Sequence, residues 1–246
     1  IYMPKNTLIV SNWKMNLNFI QAKNLAINLK KIKYNKAKLI NVICPQFLLL
    51  PTLNEVLVKS DFILGAQDFH HDLNGAYTGD TSIELVKDYN CKYSIIGHSE
   101  RRIFHNENNI MIKKKVRLCL DNFIIPILCV GESIEQRKKN IYKEFILKQL
   151  TECIQKIDCK ELVVAYEPIW SIGTGITPKV EDIIEISELI FSFLKKEKID
   201  KFRILYGGSV NSFNFSEINA LDKISGALIG GASLKIDEME KILTSC

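Results

Sequence analysis

A closed (β/α)8 barrel, with a candidate active site at the C-terminal ends of its strands, is the fold class this sequence predicts. Three observations carry that reading. Short apolar runs recur along the chain, each followed by a loop bearing Gly, Asn or His and then by a helical pattern. The runs are continuously apolar rather than alternating, as parallel strands covered on both faces require. Polar residues follow nearly every run, which favours closure over the alternative, a doubly wound open sheet with its polar groups at one switch point. The 246 residues match the roughly 250 typical of such a barrel. No linker or composition break divides them, so residues 1–246 read as one barrel domain.

The runs come in order as Leu8-Ile9-Val10, Leu39 to Ile43, Phe62-Ile63-Leu64, Tyr93 to Ile96, Ile124 to Leu128, Leu162 to Ala165, Phe202 to Leu205 and Ala227-Leu228-Ile229. Amphipathic segments separate them. Ala22, Leu25, Ala26, Leu29 and Ile32 recur at helical steps, as do Val180, Ile183, Ile184, Ile190, Phe191 and Leu194. Ser233 ahead of Ile236 and Met239 reads as the cap of a last helix.

Composition narrows the function classes. The chain is 47% hydrophobic and 25% charged with a net charge of +5, ordinary for a globular protein. Its lysines are spread over solvated helix faces, which argues against a nucleic-acid partner and allows at most a modest attraction for anionic metabolites. Seven cysteines, scattered without metal-ligand spacing, suit a reducing compartment rather than a disulfide framework. No run reaches membrane-spanning length and no leader is visible, so a cytoplasmic protein is expected. Ile1-Tyr2 ahead of Met3 carries no structural reading.

The stretch Glu167 to Thr177 (Glu167, Pro168, Ile169, Trp170, Ser171, Ile172, Gly173, Thr174, Gly175, Ile176, Thr177) organises the functional reading. A carboxylate ends an apolar run, Pro168 biases it away from helical dihedrals, and Gly173 and Gly175 permit a tight tip. It reads as a lid carrying its own general base. Taken alone, it fits a surface loop whose Glu caps a helix. The residues at the ends of the other runs decide between the two. Asn12 and Lys14 come after the first and Gln67 after the third, while Gly97-His98-Ser99-Glu100 come after the fourth. Cys129-Val130-Gly131-Glu132 close the fifth, Tyr206-Gly207-Gly208-Ser209 the seventh and Gly230-Gly231 the eighth. In a barrel these positions converge on one face, placing a base, a cation, an imidazole, an amide and two glycine-rich anion sites together.

At these points the chain resembles the triosephosphate isomerase family, after which the TIM barrel is named. The matching stretches are Asn12-Trp13-Lys14, Gly75-Ala76-Tyr77-Thr78-Gly79, Gly97 to Arg102, Cys129 to Glu132, Tyr166-Glu167-Pro168, Gly173-Thr174-Gly175 and Tyr206 to Val210, in family order along essentially the whole chain. The Gly97–Arg102 block together with Tyr166-Glu167-Pro168 and Gly173-Thr174-Gly175 is highly specific.

The resemblance implies interconversion of dihydroxyacetone phosphate and glyceraldehyde 3-phosphate, in glycolysis and gluconeogenesis and beside the pentose phosphate shunt, with no metal and no cofactor. It implies Glu167 as base, Lys14 and Asn12 as stabilisers of the enediolate charge, and His98 as a neutral electrophile kept so by a helix start, as is known for this family. Glu100 is expected to fix Lys14, and a buried Glu167 is expected to accept a proton readily. Backbone amides of Gly173, Ser209, Gly230 and Gly231 are the implied phosphate clamp, and the Tyr206 hydroxyl the lid latch. Gly75 to Gly79, inside the long loop Asp68 to Asp80, match the family's dimer loop and imply a homodimer.

The chain also departs from the family pattern. Ile176 leads straight to Thr177-Pro178, shortening the second lid hinge; Asp80 stands where Glu is usual, and Gln46 where a second Pro is common. The last two read as peripheral to the chemistry. An aldolase would need a lysine in mid-strand, a metal-dependent epimerase several His and Asp at strand ends, and a non-catalytic phosphate binder a lost base or cation; none matches the sequence.

Overall fold

The computed structural model describes residues 6–171 and 178–246. Its eight strands close into a barrel in chain order. They are β1 (Thr7–Asn12), β2 (Leu39–Cys44), β3 (Phe62–Ala66), β4 (Tyr93–Ile96), β5 (Ile125–Val130), β6 (Glu161–Tyr166), β7 (Lys201–Tyr206) and β8 (Gly226–Ile229). Every neighbouring pair is parallel, and each expected run forms a strand.

The period of two along each strand explains why the runs are apolar throughout. Leu8, Val10, Val42, Ile95, Ile127, Cys129, Val163, Leu205 and Leu228 point inward and fill the barrel. Their neighbours Ile9, Ile43, Ile96, Leu128, Val164, Ile204 and Ile229 point outward and join the core under the helices. Each such buried side chain contributes about 1.5–3 kcal/mol, so both faces drive closure. Cys44, Cys91, Cys119, Cys129, Cys153 and Cys159 are buried and unpaired, acting as small apolar groups.

Closure needs a glycine where the last strand meets the first. Leu8 lies opposite Gly226, whose φ is +135° and whose added Cβ would stand 1.9 Å from the Leu8 carbonyl oxygen.

Helices pack outside this barrel. Phe19–Leu29 is capped by Asn18, which accepts the Gln21 amide at 2.9 Å while Gln21 accepts the Asn18 amide at 3.0 Å. It buries Ala22, Leu25, Ala26 and Leu29; Ile32, expected on the same helix, lies past its end yet remains buried. In Val180–Lys196 the buried stripe runs through Ile183, Ile186, Ile190 and Leu194. Ile184, expected on that stripe, is 38% exposed, because adjacent helical residues face different ways.

Ser233 is not the cap of the last helix, Ile236–Thr244. A 3-10 turn at Gly231–Leu234 intervenes, the Ser233 hydroxyl donates back to the Gly230 carbonyl at 2.7 Å, and Lys235 holds the cap position without a side-chain bond. No described helix is long and apolar enough to cross a membrane.

Candidate active site

Glu167 leaves the end of β6 with its amide donating to the Val130 carbonyl at 2.8 Å. Gly131 lies so close that an added Cβ would stand 1.7 Å from the Glu167 carbonyl oxygen. The carboxylate is 2% exposed. Its Oε1 lies 2.9 Å from His98 Nε2, and its Oε2 accepts the Ser99 amide at 3.2 Å.

His98 is placed by Gly97, whose φ of +66° turns the chain from β4 into the short helix Ser99–Phe104. At the cap position, His98 Nδ1 accepts the Glu100 amide at 3.2 Å. A nitrogen that accepts an N–H holds no proton, so the neutral ring carries its hydrogen on Nε2 and donates it to Glu167.

The charges follow from this pairing. Burial pushes the Glu167 carboxyl up, but His98, the Ser99 amide and Lys14 outweigh it and hold the group below its ordinary value. That reverses the expectation from burial alone, which left these partners out. Burial pushes the His98 imidazole down, while Glu167 and then Glu100 pull it above its ordinary value. The Glu100 amide on Nδ1 opposes a second proton there. Glu167 is thus held ionised, and it draws His98 toward protonation, against the neutral ring expected from the helix start.

Lys14 follows β1 in a left-handed conformation, φ 51°. Its amide donates to Asn12 Oδ1 at 3.0 Å, and its ammonium meets Glu100 Oε1 at 2.5 Å. Gln67, at the end of β3, donates to the carbonyls of Lys14 at 2.8 Å and Cys44 at 2.9 Å.

Asn12, Lys14, His98, Glu167, Ser209, Gly230 and Gly231 line one cavity of about 370 Å³, large enough for a small metabolite. A built Cβ on Gly231 meets nothing within 4 Å, and one on Gly230 would lie 3.9 Å from the Lys14 ammonium. The Gly230 and Gly231 backbone and the Lys14 cation therefore line the same cavity, a suitable seat for an anion. Glu100 lines the adjoining cavity of about 220 Å³, together with Gln67 and Lys14.

The first part of the lid is anchored to groups that sequence reasoning gave no role. Ile169–Ser171 form a 3-10 turn after Pro168. Trp170 Nε1, the Tyr166 hydroxyl and Arg137 Nε all donate to Glu132 Oε1, at 3.0, 3.1 and 2.7 Å. Arg137 also reaches Asp182, in the helix beyond the lid, at 2.8 Å. The Ser209 hydroxyl donates to the Ser171 carbonyl at 2.6 Å. Tyr206 is fully buried and its hydroxyl has no aligned partner among the described residues; burial pushes it up to about 12, with nearby Ser171 pulling it back. Ile172, Gly173, Thr174, Gly175, Ile176 and Thr177, with the Gly173 amide and the shortened hinge, lie outside the described residues. Glu132 stands in a family motif, but two of its partners, Tyr166 and Trp170, are distant in sequence, and no local signal marks Arg137 or Asp182.

The Gly75–Gly79 segment folds against its own loop. Tyr77 donates to Asp72 Oδ2 at 2.7 Å and stacks on His70 with ring centroids 3.9 Å apart, yet remains 43% exposed. Donor atoms of His70, His71 and Asp72 lie within 4.8 Å of one another. Asp72 is already engaged by Tyr77 and Lys114, and none of the three lines the Glu167 cavity.

Comparison with known proteins agrees with this geometry. A family model described as triosephosphate isomerase matches residues 7–246. The triosephosphate isomerase of Dictyoglomus turgidum is 40% identical over 98% of this chain and 100% of that protein. That of Thermoanaerobacter sp. (strain X514) is 41% identical over 97% and 99%, and that of Mycoplasmopsis pulmonis 38% identical over 98% of each. With the closed barrel, the carboxylate–imidazole–ammonium cavity and these relatives in agreement, the chain belongs to the triosephosphate isomerase family.

Proposed function

We propose that this chain interconverts dihydroxyacetone phosphate and D-glyceraldehyde 3-phosphate by proton transfer through an enediolate. The observation that carries this reading is the meeting of Glu167, His98 and Lys14 in one cavity that Gly230 and Gly231 also line. Glu167 takes the proton from the carbon beside the carbonyl and returns it to the neighbouring carbon. It leaves its bonds to Ser99 and His98 to do so, and its lowered pKa keeps it ionised and ready. The His98 Nε2–H, freed from Glu167, donates to the substrate oxygens, while Lys14 and Asn12 offset the developing charge. Glu100 fixes the Lys14 ammonium.

The amides of Ser209, Gly230 and Gly231, joined by Gly173, hold the phosphate. The lid closes over the substrate by releasing Trp170 from Glu132, and the buried Tyr206 hydroxyl latches it. Closure excludes water and protects the enediolate from loss of phosphate. Thr78, at the tip of the dimer loop, supports Asn12 and Glu100 of a second subunit in a homodimer. The reaction moves one proton between adjacent carbons and belongs to glycolysis and gluconeogenesis.

A coupled assay with glyceraldehyde 3-phosphate tests the reading. Shortening the base in Glu167→Asp is expected to lower turnover about a hundredfold or more, because an ångström of misplacement is costly. Unchanged turnover would remove Glu167 from this role. Inorganic phosphate is expected to compete with substrate through the same amides.

A further inference from the structure

We propose that Gln46 is a positioning residue for Lys14, acting through the backbone of the loop that follows β1. The inference rests on the role given to Lys14 above. Within that loop Lys14 (φ 51°) and Leu17 (φ 70°) are both left-handed although neither is glycine. Bulky L residues hold that conformation only where their surroundings impose it. That conformation carries a cost, which ties at the two ends of the loop offset.

One tie is Gln67, on the Lys14 carbonyl. The other is Gln46, whose Nε2 donates to the Asn16 carbonyl at 3.0 Å and lies 3.4 Å from that of Leu17. Asn16 is also held from within, its side-chain amide donating to the Trp13 carbonyl at 2.8 Å. Gln46 sits just past β2, at the cap position of the Phe47–Leu49 turn, and makes no side-chain bond to that turn. Its amide is spent on the neighbouring loop instead. Lys14 needs this support because its side chain is 27% exposed, so packing alone does not hold the ammonium beside the cavity. Backbone placement and the bond to Glu100 do. On this proposal Gln46 serves the chemistry, whereas the sequence alone placed it at the periphery.

Steady-state kinetics on Gln46→Leu and Gln46→Glu, with and without Lys14→Ala, test this. Both substitutions remove the donor, and the second turns a carboxylate toward two carbonyls. Each is expected to lower kcat/KM about fivefold to tenfold, the value of one ordinary hydrogen bond, with the loss mainly in kcat and the melting temperature little changed. Gln46→Lys, which keeps a donor, is expected to recover most of the rate. In Lys14→Ala, adding Gln46→Leu is expected to change nothing further, since both act through one group. An unchanged kcat/KM in Gln46→Leu, or an equal fall in the Lys14→Ala background, would overturn the inference. Full activity of Lys14→Ala alone would instead remove the role of Lys14 and this inference with it.

Discussion

His98 Nε2 lies 2.9 Å from Glu167 Oε1, so the electrophile and the base proposed for the reaction are hydrogen-bonded to each other. Each sets the acidity of the other. The carboxylate pulls the imidazole above its ordinary value against burial, and the imidazole helps hold the carboxyl below its own.

The pair can be taken apart by substitution. In Glu167→Gln, burial remains while the neighbouring charge is lost, so His98 is expected to titrate at lower pH than in the parent, measured by imidazole NMR. In His98→Gln the carboxyl loses its main partner, and the acid limb of kcat/KM is expected to move to higher pH. Either group titrating unchanged after loss of the other would contradict the coupling.

Two glycines near the cavity should respond oppositely to an added methyl group. Gly131→Ala forces a Cβ to within 1.7 Å of the Glu167 carbonyl oxygen, so the backbone carrying the base must move. We expect a stability loss of about 1–3 kcal/mol and at least a tenfold drop in kcat, beyond what the stability loss explains. Gly231→Ala meets nothing within 4 Å and is expected to keep the parental melting temperature. Thermal unfolding and kinetics on the same preparations separate the two.

Tyr206→Phe deletes a hydroxyl that is buried without an aligned partner among the described residues. Because an unpaired buried polar group is costly, the variant is expected to be as stable as the parent or slightly more so. Its kcat/KM is nevertheless expected to fall about tenfold if the hydroxyl latches the lid, since one hydrogen bond made only on closure is lost. A parental rate would end the latch assignment.

The Gly75–Gly79 loop gives a prediction about assembly. If its tip supports Asn12 and Glu100 of a second subunit, specific activity should fall as the protein is diluted through its dissociation range, in step with the loss of dimer seen by sedimentation. Full activity in the dissociated chain would count against that support.

The barrel was legible because the physics that builds it is local and repetitive. Each run is apolar on both faces, as a strand between a filled interior and a helical coat must be, and Asn12, His98 and Glu167 stand where those runs end. Most features that escaped the sequence depend on distant partners, and one on a local turn. Ser233 looks like a cap until the turn at Gly231–Leu234 claims it. Glu132 gathers Tyr166 and Trp170 from the end of β6 and Arg137 from the helix that follows β5. Burial alone misjudges the acidity of Glu167 because its partners His98 and Ser99 come from another strand end. Gln46 looks peripheral because nothing in its own neighbourhood needs its amide.

The seam between Leu8 and Gly226 also sets a timetable for synthesis. β1 emerges from the ribosome early, but the strand that covers its second edge is made almost last. Until then the nascent chain carries an open strand edge, the kind of surface that pairs with other chains. Contacts so far apart in sequence form late and slowly. A fragment stalled before β8 is therefore the form most in need of a chaperone, and release of the final segment is the event that ends the hazard.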